Sequence, residues 1–231
     1  MLYDNIQYVN LLTKFYQKTK KEYFKKKLIQ TINFLSKEFK NTKNIKLDGN
    51  YLVNDNYRSR FLNGINPGDV AWDLFDVDMV VDATGKFNSR NSMDKHLDAG
   101  AKRVIISTLP EDSIDRFVIC GINDETINLQ DKTISAGSST MNALALLLNS
   151  FLPFGIDSVN MTTIHSYTSD QSLQDVVGSD FRCSRSASEN IIPNDSESEN
   201  WITELFPSLN DKINCNALNV SFNKPVTASS W

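Results

Sequence analysis

The 231-residue sequence predicts an α/β protein: a partial doubly wound, Rossmann-like parallel sheet followed by a smaller α+β domain. Three observations carry this. Short apolar runs at "DVDMVVDATG", "KRVIIST" and "KTISAG" alternate with helical stretches, the order that makes βαβ units and hence a parallel sheet. Gly100 stands at the end of "SMDKHLDAGA", where a helix would close. After residue 152 the regular alternation gives way to "IDSVNMTTIHSYT", "ENWITELFPSL" and "KINCNALNVSF", a strand and helix order that suits a mixed or antiparallel sheet.

Residues 1–45 form a basic arm. Up to residue 46 there are eleven lysines against Asp4, Glu22 and Glu38, a charge of +8, so the remainder carries −12 within a total of −4. Leu11, Leu12, Phe15, Leu28, Ile32, Leu35 and Phe39 recur at spacings of three, four and seven, which predicts one or two amphipathic helices. A lysine face of this kind is either plain solvated surface or a patch for nucleic acid or another anionic surface. It lacks the arginine and glycine of a dedicated nucleic-acid binder.

The next segment, 46–152, holds the predicted sheet. "IKLDGNYLVND" reads as a hairpin turning at Asp48-Gly49. A buried strand then ends at Thr84-Gly85, a helix closes at Gly100, and a second buried strand follows. "RFVICGIN" and "KTISAG" are two further strands, and residues 140–152 a helix. In segment 153–231, "RSASENIIPND" carries a proline stop, "ENWITELFPSL" is a short amphipathic helix and "KINCNALNVSF" a strand.

Composition narrows the function classes. Hydrophobic residues make up 40% and charged residues 23%, as in ordinary globular proteins. No apolar run approaches the roughly 18 residues of a membrane span, and no secretory core opens the chain, so a cytoplasmic protein is expected. Cys120, Cys183 and Cys215 have no CxxC or Cys/His spacing, which points away from a zinc site or a disulfide framework. Only His96 and His165 offer an imidazole.

"VVDATGKFNSR…HLDAGAKRVIIS", "ISAGSSTMNALALLL", "MTTIHSYTSDQ", "RCSRSASENIIP" and "LFPSLNDKINCNALNVSF" together resemble the phosphorylating glyceraldehyde-3-phosphate dehydrogenase family, and the histidine-containing run is most similar to its erythrose-4-phosphate dehydrogenase branch. The resemblance covers roughly residues 45–228. It implies a Rossmann-type NAD domain, a catalytic domain and an oligomer assembled through the latter.

Against that pattern the sequence departs at several points. The resemblance implies a Gly-rich loop whose amides cradle the pyrophosphate of NAD. The nine glycines here, at 49, 64, 68, 85, 100, 121, 137, 155 and 178, contain no GxG, so NAD is not expected as a cofactor. Thr84 and Gly85 match the strand end beside the family's cofactor, and the alternative is a plain strand-to-loop junction. The resemblance also implies a nucleophilic cysteine in a Ser-Cys-Thr-Thr-Asn turn, stabilised as thiolate by a helix N-terminus and a histidine. This chain reads Ser138-Ser139-Thr140-Met141-Asn142, with Ser139 in the thiol's place. His165 matches the histidine. Ser139 with His165 would make a hydrolase-type dyad, with Asp170 nearby in the chain, whereas helix capping by Ser138 or Ser139 needs no chemistry.

Thr140, Thr168 and Ser196 match phosphate-contacting positions, Ser138 adjoins them, but Asn219 replaces an arginine, and Asp170 and Glu197 bring acids. A phosphate dianion loses charge complement by such changes. Arg182 and Arg185 persist in a segment that the resemblance assigns to subunit contacts. The chain also stops about a quarter of the family's length early, which predicts that another copy or another dehydrogenase-like subunit covers the second sheet. The expectation is therefore a non-catalytic relative acting as a binding or assembly subunit, with changed chemistry at Ser139 and His165, or a place in a heteromeric dehydrogenase, as the alternatives.

Overall fold

The structure, a computed structural model, describes residues 46–53, 58–60, 62, 64–167, 171–178, 180–194, 196 and 198–221. The predicted helical arm over 1–45 lies outside them, as do Thr168, Asp170 and Glu197. The chain divides into two compact units, Met1–Leu146 and Leu147–Trp231. The sequence reading places that division after residue 152, six residues further on and just past the end of the helix that the boundary falls in.

The described part of the first unit begins with three short antiparallel strands, β1 (Lys46–Asp48), β2 (Tyr51–Val53) and β3 (Arg58–Arg60). Asp48 pairs with Tyr51 across Gly49-Asn50, and Gly49 takes φ +56°, a left-handed value natural to glycine. β3 has no apolar alternation. Its Arg58 guanidinium instead lies 3.8 Å from the centre of the Tyr51 ring, an ordering contact between cation and ring face.

The larger sheet of this unit is wholly parallel. It contains β4 (Met79–Asp82), β5 (Arg103–Ile106), β6 (Arg116–Phe117) and β7 (Thr133–Ser135), in the order β4-β5-β7-β6. Between β4 and β5 runs helix α1 (Arg90–Asp98). Ser89 caps its start by accepting from the Ser92 amide. Its end is a Schellman closure: Gly100 at φ +102° donates to Leu97 O at 3.0 Å, and Ala101 donates to His96 O at 3.1 Å. Met93 of α1 packs with Val104 and Ile106, which are fully buried along with Ile105. A strand apolar on both faces is what a central parallel strand requires.

The strand expected through "RFVICGIN" is cut to Arg116–Phe117. Asn123 is the reason. Its Oδ1 accepts from the Ile119 amide at 2.8 Å and its Nδ2 donates to Phe117 O at 2.8 Å, so a side chain takes over groups that a longer ladder would use. Helix α2 (Ser139–Phe151) follows β7 and crosses the boundary between the units.

The second unit contains β8 (Val159–Ser166), β9 (Ile192–Asn194), helix α3 (Ser198–Leu205) and β10 (Ile213–Val220). The sheet is mixed: β10 is central, parallel to β8 and antiparallel to β9. Pro193, read from the sequence as a stop, sits inside β9, on the sheet's edge, where a missing amide leaves no ladder partner wanting. Ile202 of α3, Phe206, Leu209, Ile213 and Cys215 are buried. Among the described residues no helix is long and apolar enough to cross a membrane.

Candidate functional site

The turn that leads into α2 is built by three side chains and a glycine. Ser135, the last residue of β7, donates its hydroxyl to Thr108 O at 2.7 Å and accepts from the Gly137 amide at 3.0 Å. Gly137 then takes φ +69°, and a Cβ placed there would stand 2.6 Å from Cδ1 of Ile119, so only glycine fits. Ser138 is the N-cap: its Oγ accepts from the Met141 amide at 3.2 Å, and its carbonyl from the Asn142 amide at 3.0 Å. Asn142, buried one turn into the helix, donates from Nδ2 to Ala136 O and Ser138 O, each at 2.9 Å. The loop is thereby tied to the helix from both sides.

Ser139 is the first residue of α2 and is exposed; Thr140 beside it is half-buried. Their amides are the first two of the helix, with no preceding carbonyl to bond, and the helix dipole adds positive potential there. Such an end holds an anion, and it lowers the pKa of a thiol enough to make a thiolate. An alcohol is far harder to ionise, and it becomes a nucleophile only when a base takes its proton. Met141 is fully buried, which explains the thioether: that position belongs to the core. Ser138→Ala removes the cap and is expected to cost about 1 kcal/mol of stability, seen as a lower urea midpoint at unchanged slope.

Thr84 and Gly85 follow the carboxyl end of β4, the edge where open parallel sheets bind ligands. Both polar groups of Thr84 are engaged: its amide and its hydroxyl donate to Oδ1 of Asp82 at 2.9 and 2.7 Å. Gly85 takes φ +70° with open space around it. Asp82 is buried, which alone would raise its pKa, but the His96 imidazole facing it and the hydrogen bonds from Thr84 outweigh burial and hold the carboxyl below its usual value. The turn is closed on its own aspartate and offers a nucleotide little beyond the bare backbone of Gly85. Among the described residues, this strand end by itself does not fit a dinucleotide cradle.

His165 lies near the end of β8 and is exposed. Its Nδ1 is 2.6 Å from Ser166 O. A carbonyl only accepts, so Nδ1 carries the proton, and the neutral ring keeps its lone pair on Nε2. Asn219 of β10 pairs with His165 across the sheet, so the place where the resemblance implies a guanidinium adjoins the imidazole and holds a neutral amide. Ser196 is half-buried between β9 and α3. Thr168, the remaining predicted phosphate contact, is not among the described residues.

The two retained arginines face acids of their own loop. Arg185 pairs with Asp175 at 2.8 Å, and Arg182 lies 3.8 Å from Asp180. Cys215, the buried cysteine of β10, offers no replacement thiolate, because burial and then Glu199 push its thiol up. Among the described residues no three His, Cys, Asp or Glu side chains gather as a metal-ligand set.

Ser139 belongs to the first unit and His165 to the second. Sequence reasoning missed Asn142 as the tie of the turn, although an Asn four residues after a capping Ser is the signal for it. It missed the Asp82–His96 pair as well, since neither residue marks the other.

Residues 138–229 match the family described as glyceraldehyde 3-phosphate dehydrogenase, C-terminal domain. Over 180 residues the chain is 37% identical to glyceraldehyde-3-phosphate dehydrogenase 1 of Bacillus subtilis (strain 168), covering 76% of this chain and 53% of that protein. It is 40% identical over 157 residues to glyceraldehyde-3-phosphate dehydrogenase of Mycoplasma pneumoniae, covering 68% and 46%. The corresponding enzyme of Priestia megaterium is 36% identical over 180 residues. The chain spans about half the length of the curated relatives that it matches.

Proposed function

Because the chain belongs to the glyceraldehyde-3-phosphate dehydrogenase family, we propose that it is a non-catalytic member, a binding or assembly subunit that does not carry out NAD-dependent phosphorylating oxidation of an aldehyde. The observation that carries this reading is Ser139: an exposed hydroxyl on the first turn of α2, at the position where the resemblance implies a thiol. Thiohemiacetal and thioester steps need sulfur. Asn219 beside His165 supports the same reading, since a neutral amide cannot neutralise a phosphate dianion. The partner in this proposal is a second copy or a longer dehydrogenase-like chain.

Titration calorimetry with NAD, combined with native mass spectrometry of the protein purified gently from its own cells, tests this. The expected result is no NAD binding and a mass that contains a further subunit. Micromolar NAD affinity in the intact chain overturns it.

One observation favours a second reading. His165 holds the tautomer that a general base needs, with the lone pair on Nε2. On that reading Ser139 and His165 act as a dyad for acyl transfer or hydrolysis, the amides at the start of α2 serving the oxyanion. It predicts covalent modification of Ser139 by a fluorophosphonate and loss of the adduct in His165→Ala. An unmodified wild-type chain at high probe concentration removes it.

A further inference from the structure

We propose that His96 is a proton-operated latch that fastens the segment before β4 to helix α1. The residues concerned belong to the first unit and have no part in the function proposed above. Trp72 lies in a 3-10 turn, Trp72–Phe75, that runs beside α1. Its indole Nε1 donates to Nδ1 of His96 at 3.1 Å, with ring centroids 5.7 Å apart. On the other side of the imidazole, Nε2 faces Oδ2 of Asp82 at 3.5 Å and is buried with no closer partner among the described residues. The second oxygen of Asp82 is occupied by Thr84. One buried histidine thus stands between a tryptophan from one segment and an aspartate at the end of β4.

The hydrogen-bond inventory fixes the protonation state. An indole N–H only donates, so Nδ1 must be bare. The single proton of the neutral ring is then on Nε2, aimed at the carboxylate. A second proton has one place to go, the lone pair of Nδ1, and there it meets the indole N–H head on. Proton uptake therefore exchanges the Trp72 hydrogen bond for an ion pair with Asp82. Trp72 is left with its backbone bonds, the amide to Ala99 O at 2.7 Å and the carbonyl from the Val77 amide at 3.1 Å, and its ring is free to turn.

The charges around the ring are few. β4 brings Asp82. The turn segment brings Asp69, whose carboxylate is held by the amides of Ile65 and Asn66, the exposed Asp73 and Asp76, and Asp78, which pairs with Lys102. β5 faces α1 with Val104 and Ile106, while its Arg103 is turned to carbonyls of Leu129 and Asp131. β7 carries no charge in Thr133–Ser135, and α1 itself adds Lys95 and Asp98 on its exposed side. Among the described residues, Asp82 is the charged group that the structure shows against the buried imidazole, at 3.5 Å.

The test uses the full chain labelled with nitrogen-15, carried from pH 8 to pH 5, the interval in which an imidazole changes charge. Two signals are followed together: the His96 ring nitrogens, and the Trp72 indole N–H, identified by its absence in Trp72→Phe. The expected result is a bare Nδ1 at pH 8, then its protonation with an upfield shift of the Trp72 indole proton at the same midpoint. Asp82→Asn, which keeps shape and removes charge, is expected to move that shared midpoint to lower pH. His96→Gln can accept from Trp72 and donate to Asp82 at every pH, so the Trp72 signal becomes pH-independent. A protonated Nδ1 at pH 8, a Trp72 resonance that stays still while His96 titrates, or an imidazole that does not titrate in this range overturns the proposal.

Discussion

Gly137→Ala is expected to lower stability by about 2–5 kcal/mol and to withdraw Ser139 from the helix end. Two effects add. A residue with a Cβ pays roughly 1–2 kcal/mol for the left-handed backbone, and Gly137 has φ +69°. The new methyl also meets Cδ1 of Ile119 at 2.6 Å, and overpacking of a buried contact costs about 1–3 kcal/mol. Ile119 is fully buried and has little room to yield. Asn142 stands 3.2 Å from the same methyl, so its two bonds to Ala136 O and Ser138 O are disturbed as well. Urea unfolding followed by circular dichroism reads the loss as a lower midpoint. A variant within 1 kcal/mol of wild type would show that the turn is not held as described.

Gly100→Ala should be as costly, for a reason that lies in backbone and not in a side chain. Gly100 has φ +102°, and a Cβ there would stand 2.6 Å from Cβ and 2.7 Å from the backbone nitrogen of Asp73. No rotamer change relieves a clash with a main-chain atom. The 3-10 turn that carries Trp72 must move off α1, which breaks the 2.7 Å bond from the Trp72 amide to Ala99 O. We expect about 2–5 kcal/mol of destabilisation and loss of the Trp72 indole shift described for the latch. Gly49 and Gly85 are the controls. They also have positive φ, at +56° and +70°, but meet nothing within 4 Å, so alanine there should cost only the backbone strain of about 1–2 kcal/mol.

How far the sequence shows the fold can be judged at these same elements. The parallel sheet is legible because its strands are short runs alternating with helices, β5 among them apolar on both faces, and its first helix ends on a glycine that the Schellman closure requires. β3 is not legible, because "RSR" has no apolar period and is ordered through Arg58 on Tyr51. β6 reads too long, because the Asn123 side chain imitates a strand partner. Pro193 reads as a stop, because a proline inside a strand is tolerated only at an edge, and edges are invisible in sequence. At the site, a capping serine follows from the strand-turn-helix pattern, which leaves open whether it is Ser138 or Ser139, a choice decided by the bond from the Met141 amide to Ser138. The tautomer of His165 does not, since it depends on one carbonyl at 2.6 Å. The latch is hidden for a similar reason: Trp72 and His96 are joined across 24 residues by a hydrogen bond that no periodicity announces.

The most direct measurement of the central claim is turnover by the intact purified chain given glyceraldehyde 3-phosphate, inorganic phosphate and NAD, read as NADH formation. None above the blank is expected, and no difference between the wild type and Ser139→Ala. NADH formation that disappears in Ser139→Ala would contradict it, and would mean that the hydroxyl at the start of α2 does the chemistry here assigned to sulfur alone.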